Sequence, residues 1–385
     1  MKYSQLPFLY IFIVSLLFPV KSMSEDGYKL WLRYAEITDP AHKYQVSIIL
    51  SEISLLEDSP TAEVISDELH TAARGMLNSQ PQISSTIQQS TGLIIALKET
   101  LTGYDGIELP GDISSLNSEG YYIGPVNFND KSNLAIIGND DNELLYGTFH
   151  LLRLLQMEDD LSGLPLTESP KIQHRLLNHW DNLDRTVERG YAGFSIWDWH
   201  KLPDYIDPRY IDYARANASI GLNGTVLTNV NANAWVLTSR YIEKVAALAD
   251  AFRPYGLKVY LTARFSAPIE LDNLTTADPL NEDVRAWWKE KVKEIYRQIP
   301  DFGGFLVKAN SEGQPGPQDY GRSHADGANM LAEALDPYGG IVMWRAFVYS
   351  HEVPEDRAKQ ANMEFEPLDG QFHHNVFVQV KNGPI

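Results

Sequence analysis

From Gln173 onward the chain alternates short apolar runs with amphipathic helical segments, and this alternation constrains the fold more than any other feature of the sequence. The runs are found in "HRLLNHWDN", "GLNGTVLTNV", "LKVYLTARFS", "FGGFLVKANSE", "GIVMWRAFVY" and "NVFVQVKNGPI". They are apolar on both faces, as strands of a parallel sheet covered by helices must be. Between them stand segments such as "NEDVRAWWKEKVKEIYRQI", where Val284, Trp287, Trp288, Val292 and Ile295 recur at helical spacing. Repeated in this way, the pattern predicts an α/β fold, a (β/α)8 barrel of the TIM type. About six βα units fit before Ile385, and a closed barrel needs eight, so the predicted barrel is incomplete.

Ahead of it, a small mixed α/β domain is expected from Tyr28 to about Pro170. "VSIIL" and "GLIIALKE" read as strands, and "GYYIG" and "NLAIIGND" as a further pair. In "DNELLYGTFHLLRLLQ" (141–156), Leu144, Leu145, Thr148, Leu151, Leu152 and Leu155 form a helical stripe that Asp140 or Asp141 can cap. "EDDLSGLPLTESPK" is rich in turn formers and reads as a linker. At the start, one lysine precedes an apolar run from Leu6 to Val20, with small residues at Ser22 and Ser24. That run is short for a spanning helix and suits a secretory signal, the alternative being an uncleaved anchor. The expected organisation is therefore a signal peptide at 1–24, the amino-terminal domain at 25–168 and the barrel at 169–385. It implies a secreted or periplasmic protein with no membrane span after signal removal.

The formal net charge of −19 argues against nucleic acid and anionic membranes as partners. It also disfavours anionic substrates unless a local basic pocket overrides it. With no cysteine there is no disulfide framework, thiolate metal site or cysteine nucleophile.

Charged residues near the carboxyl ends of barrel strands need a reason, because barrel enzymes place their chemistry there. In "FLVKANSE", strand geometry puts Lys308, Asn310 and Glu312 on one face. Either Glu312 forms a rim salt bridge with Lys308 or it takes part in catalysis. Arg345 is the sole charge in "GIVMWRAFVY" and is costly to bury without an anion, whether a neighbouring carboxylate or a ligand. Lys381 follows the β-branched run of the sixth strand. Three adjacent strands thus bring a cation to one end of an acidic protein, and an acidic ligand is the simplest complement. Trp197 and Trp199 suit core packing, whereas Trp180, at a strand exit, suits packing and a sugar platform equally. Asn229, Asn231 and Asn233 fit either turn chemistry or a hydroxyl-rich ligand.

The blocks "NHWDNLDRTVERGYAGFSIWDW", "VKANSEGQPGPQDYGRSHADGANMLAEAL", "GGIVMWRAFVY" and "PLDGQF…NVFVQVKNGPI" resemble the α-glucuronidases of glycoside hydrolase family 67. "DGYKLWLRY" resembles their amino-terminal domain. The resemblance covers nearly all of the chain after the signal. It implies an inverting, cofactor-free hydrolase with no metal that removes α-1,2-linked glucuronic acid, or its 4-O-methyl ether, from xylose in glucuronoxylan-derived oligosaccharides. By the same resemblance Glu312 is the general acid, Lys308, Arg345 and Lys381 hold the uronate carboxylate, and Trp180 contacts the sugar. A general acid must stay protonated near neutral pH, so Glu312 is expected to have a raised pKa. Lys308 beside it would lower that pKa until the substrate carboxylate engages the lysine.

The family's water-activating carboxylates, an aspartate directly after "NGPI" and a glutamate further on, fall beyond Ile385. Glu364, Glu366 and Asp369 read as a helix end and a turn, not as substitutes. On this reading the chain is a truncated form, poorly soluble and nearly inactive, with a homodimer possible only at full length. The alternative is a non-catalytic protein that binds uronates or xylan fragments.

Overall fold

All six apolar runs of the carboxyl-terminal part become strands. In the computed structural model, which describes residues 25–380 apart from 112, 114–115, 158–160, 232 and 347–355, two sheets are present. The first contains β1 (Glu52–Leu55), β2 (Gln82–Ser84), β3 (Leu93–Leu97), β4 (Ile107–Glu108), β5 (Tyr121–Phe128), β6 (Lys131–Gly138) and β7 (Leu166–Glu168). Its order is β2-β1-β3-β6-β5-β4, with β7 also on β5. Pairing is parallel from β2 to β6, while β5 pairs antiparallel with β6, β4 and β7.

The second sheet contains β8 (Leu176–Asn178), β9 (Gly224–Val226), β10 (Lys258–Thr262), β11 (Gly304–Val307), β12 (Ile341–Arg345) and β13 (Val376–Gln379). These strands are parallel and lie in sequence order, as successive right-handed βαβ units place them. The result is an incomplete TIM-like barrel, as the alternation predicted. Val226, Tyr260, Leu306, Ile341 and Met343 pack on its inner face, with Trp180 and Leu176 against them. Phe305, Val307, Val342 and Trp344 point outward into the larger core beneath the helices. The helix Glu282–Gln298 buries Val284, Trp288, Val292 and Ile295, while Trp287 of the expected stripe is only half-buried.

Two expectations for the amino-terminal part need correction. "VSIIL" is the end of the helix Pro40–Leu50, not a strand. Proline in the first turn and Asp39, which accepts from the His42 amide at 2.7 Å, start this helix. Val46 and Leu50, four residues apart, are its buried positions, while Ile48 is exposed. The strand is the next segment, "EISL". The stretch read as a bare linker also carries β7, which joins the first sheet. The helix Asp141–Gln156 is capped by Asp140, as expected.

The two sheets share one continuous core. A buried ion pair reinforces the junction: Arg215, on the helix Pro208–Ala218, donates to Glu68, on the helix Pro60–Leu77, at 2.6 and 2.8 Å. Among the described residues no helix is long and apolar enough to cross a membrane. The proposed signal, 1–24, and Lys381 lie outside the described residues.

Candidate active site

The carboxyl ends of β8, β9, β11 and β12 open onto one polar cluster. Lys308 directly follows β11 and is 5% exposed. Its ammonium donates to Glu312 Oε2, and to Asn231 Oδ1 at 2.8 Å. The sequence reading placed these groups together by strand alternation, and here the route is different. β11 stops at Val307, and Asn310 and Glu312 both adopt left-handed backbone, with φ of 48° and 50°. A turn, and not a pleat, therefore returns the Glu312 carboxylate to Lys308. Asn310 does not join them. Its side-chain oxygen accepts from the Gln318 amide at 3.1 Å, which holds the loop. Gly316 is needed for that contact, because a Cβ there would stand 1.9 Å from Asn310 Oδ1.

Glu312 has a second cationic neighbour that the sequence reading did not single out. Arg189 reaches its Oε1 at 3.2 Å from the loop after β8. That loop is built by side-chain and backbone bonds. Asn182 donates to the Glu188 carbonyl at 2.7 Å, and Asn229 donates to the same carbonyl and to Asn182 Oδ1, each at 3.1 Å. Glu188 and Gly190, at φ of 56° and 93°, turn the backbone on either side of Arg189. Nothing in a single sequence separates Arg189 from Arg185, which instead binds Asp198.

These contacts decide the charge state. Burial pushes the Glu312 carboxyl up, but the hydrogen bond and charge of Lys308, with Arg189 behind them, outweigh it and hold the pKa below its usual value. The lowering by Lys308 expected in the absence of a ligand carboxylate is thus present, and the raised pKa expected of a general acid is not. The paired carboxylate stabilises the fold above the ordinary carboxylate range near 4, and that contribution is lost as pH falls through the lowered value. Lys308 is also shifted downward: burial dominates, Glu312 opposes it, and the charges of Arg345 and Arg189 add to it.

Arg345 ends β12, and its guanidinium lies 5.8 Å from the centroid of the half-buried Trp180 ring, a cation–π contact. Trp197 and Trp199 are buried in the core, as their packing reading required. The three asparagines have separate roles. Asn231 binds Lys308, Asn229 braces the Arg189 loop, and Asn233 caps the turn at Trp235. Beside Asn231 lies an open cavity of about 550 Å³ lined by Asp181, Asn182, His200, Trp235 and Tyr241. The structure therefore gathers Lys308, Glu312, Arg345 and Trp180 at one end of the barrel.

The chain belongs to glycosyl hydrolase family 67: residues 30–151 match its N-terminus and residues 154–385 its middle domain. Its relatives by sequence are α-glucuronidases. Alpha-glucuronidase A of Emericella nidulans is 40% identical over 394 residues, covering 97% of this chain and 45% of that protein. The alpha-glucuronidase of Hypocrea jecorina is 37% identical, covering 98% of this chain and 45% of that protein. The chain thus spans a little under half the length of these relatives. A solved structure described as CpGH84D matches with a TM-score of 0.52 at 12% identity, covering 86% of this chain and 52% of that one, a likeness of fold alone.

Proposed function

We propose that this site takes the carboxylate of a glucuronic acid residue and that the protein is an α-glucuronidase acting on glucuronoxylan-derived oligosaccharides. The observation that carries the proposal is the meeting of Lys308 and Arg345 beside Glu312 and Trp180 in a chain of net charge −19. A uronate carboxylate would engage the Lys308 ammonium and the Arg345 fork, while the sugar ring lies against Trp180. Drawing Lys308 from Glu312 removes the main influence lowering its pKa. Glu312 then gains a proton and can donate it to the leaving glycosidic oxygen, as an inverting mechanism requires; a second carboxylate would activate water on the opposite face. Lys381, one strand further on, is proposed as a third carboxylate ligand, and residues 1–24 as a secretion signal.

The test is release of uronic acid from glucuronoxylo-oligosaccharides, with the anomer formed first read by NMR. An α-linkage cleaved with inversion yields the β-anomer first; the α-anomer would refute the inverting step. Lys308→Met is expected to weaken binding of glucuronate by about 2–5 kcal/mol, the usual cost of losing one partner of a desolvated charge pair. Calorimetry checks this, and unchanged affinity would remove Lys308 from the site.

A second reading, uronate binding without hydrolysis, has one observation in its favour. Glu312 is held ionised by two cations, which suits an ion-pair site better than a proton donor. Tight glucuronate binding with no release of uronic acid, by a longer chain that also carries the water-activating carboxylates expected beyond Ile385, would favour it.

A further inference from the structure

At the opposite end of the second sheet, Asp336, His373 and His374 each offer one ligand atom, all within 4.8 Å of one another. From this cluster and the fixed tautomer of His373 we infer a binding site for a zinc-type divalent cation at the amino-terminal face of the barrel. Asp336 follows the helix His324–Leu335, and the two histidines lead into β13. His374 Nε2 stands 3.1 Å from Asp336 Oδ1, and the rings of His373 and His374 lie 4.4 Å apart.

The second observation lies beneath the surface. Asn375 is buried, and its amide nitrogen donates to the carbonyls of Ala332 and Gly340 at 3.1 and 2.9 Å. Those bonds fix the amide orientation, so Asn375 Oδ1, 2.6 Å from His373 Nδ1, can only accept. His373 Nδ1 must therefore carry the proton, which leaves the lone pair on Nε2. A buried group that fixes the tautomer of a histidine is the usual support behind a metal-binding imidazole. The Asn329 side chain also receives the His373 amide at 2.7 Å and holds the backbone. The Asp336 and His374 side chains are 44% and 75% exposed, so the site is open to a cation from solvent.

Two imidazoles and one carboxylate suit Zn²⁺ and leave a fourth position for water. Mg²⁺ and Ca²⁺ prefer all-oxygen shells and are the controls. The site stands at the far end of the strands from Lys308 and Glu312, so its role is to clip the start of β13 to the end of the helix His324–Leu335, which precedes β12. Calorimetric titration of the tag-free 385-residue chain with Zn²⁺ is expected to show one site, weakened at least about tenfold in both His373→Ala and His374→Ala. Zn²⁺ should also raise the thermal midpoint of the unaltered chain but not of His374→Ala, whose surface substitution leaves the core untouched. No saturable Zn²⁺ binding, equal binding of Ca²⁺, or Zn²⁺ binding that survives both substitutions would overturn the assignment.

Discussion

In a chain that also carries the water-activating carboxylates expected beyond Ile385, Glu312→Gln is expected to cut the release of uronic acid by about 10²–10⁴-fold while leaving glucuronate binding largely intact. The amide keeps the shape of the side chain but cannot give a proton to the leaving oxygen. It also removes the negative charge that now engages Lys308 and Arg189. Both cations then become available to the uronate, so affinity is expected to hold or rise even as turnover falls. The pH–rate profile supplies an independent check, because the basic limb reports the ionisation of the essential acid. In Glu312→Gln that limb should vanish from whatever activity remains. Activity near that of the unaltered protein would remove Glu312 from the role of proton donor.

The second large effect concerns stability. Glu68→Ala is expected to destabilise the chain by about 3–5 kcal/mol, measured as a fall in the denaturant midpoint at constant m-value. Glu68 is 4% exposed and accepts two bonds from Arg215 and one from the Tyr34 hydroxyl. Removing the carboxylate leaves a guanidinium inside the junction between the two sheets with its main counter-charge gone. The Tyr34 hydroxyl loses its acceptor at the same time. Arg33→Ala is the control. Its pair with Glu25 is exposed, and exposed pairs contribute at most about 1 kcal/mol. A similar loss from both substitutions would show that the buried pair has no special role.

The barrel was legible in the sequence because strands apolar on both faces and helices with one apolar stripe have different periods. The cationic cluster of the candidate site was legible because Lys308 and Arg345 are charges in runs that otherwise permit none. Three features were not. Val46 to Leu50 is too short an apolar run for its period to separate helix from strand, and the Asp39 cap with its following proline was the signal that could have decided it. Lys308 and Glu312 meet through left-handed residues at 310 and 312, a backbone conformation that period-2 reasoning does not include. Arg189 reaches Glu312 across 123 positions of sequence, and only the folded loop after β8 reveals it. The last of these matters most, since Arg189 adds to the lowering of the Glu312 pKa that was expected from Lys308 alone.

The exchange of partners at Lys308 is best tested by calorimetric titration of the chain with glucuronate and with glucose between pH 7 and pH 5, in buffers of differing ionisation enthalpy. If Lys308 leaves Glu312 for the ligand carboxylate, glucuronate binding takes up a proton and tightens as pH falls, and neutral glucose does neither. Equal affinity for the two sugars, or glucuronate binding with no proton uptake, would contradict a uronate site built around Lys308 and Glu312.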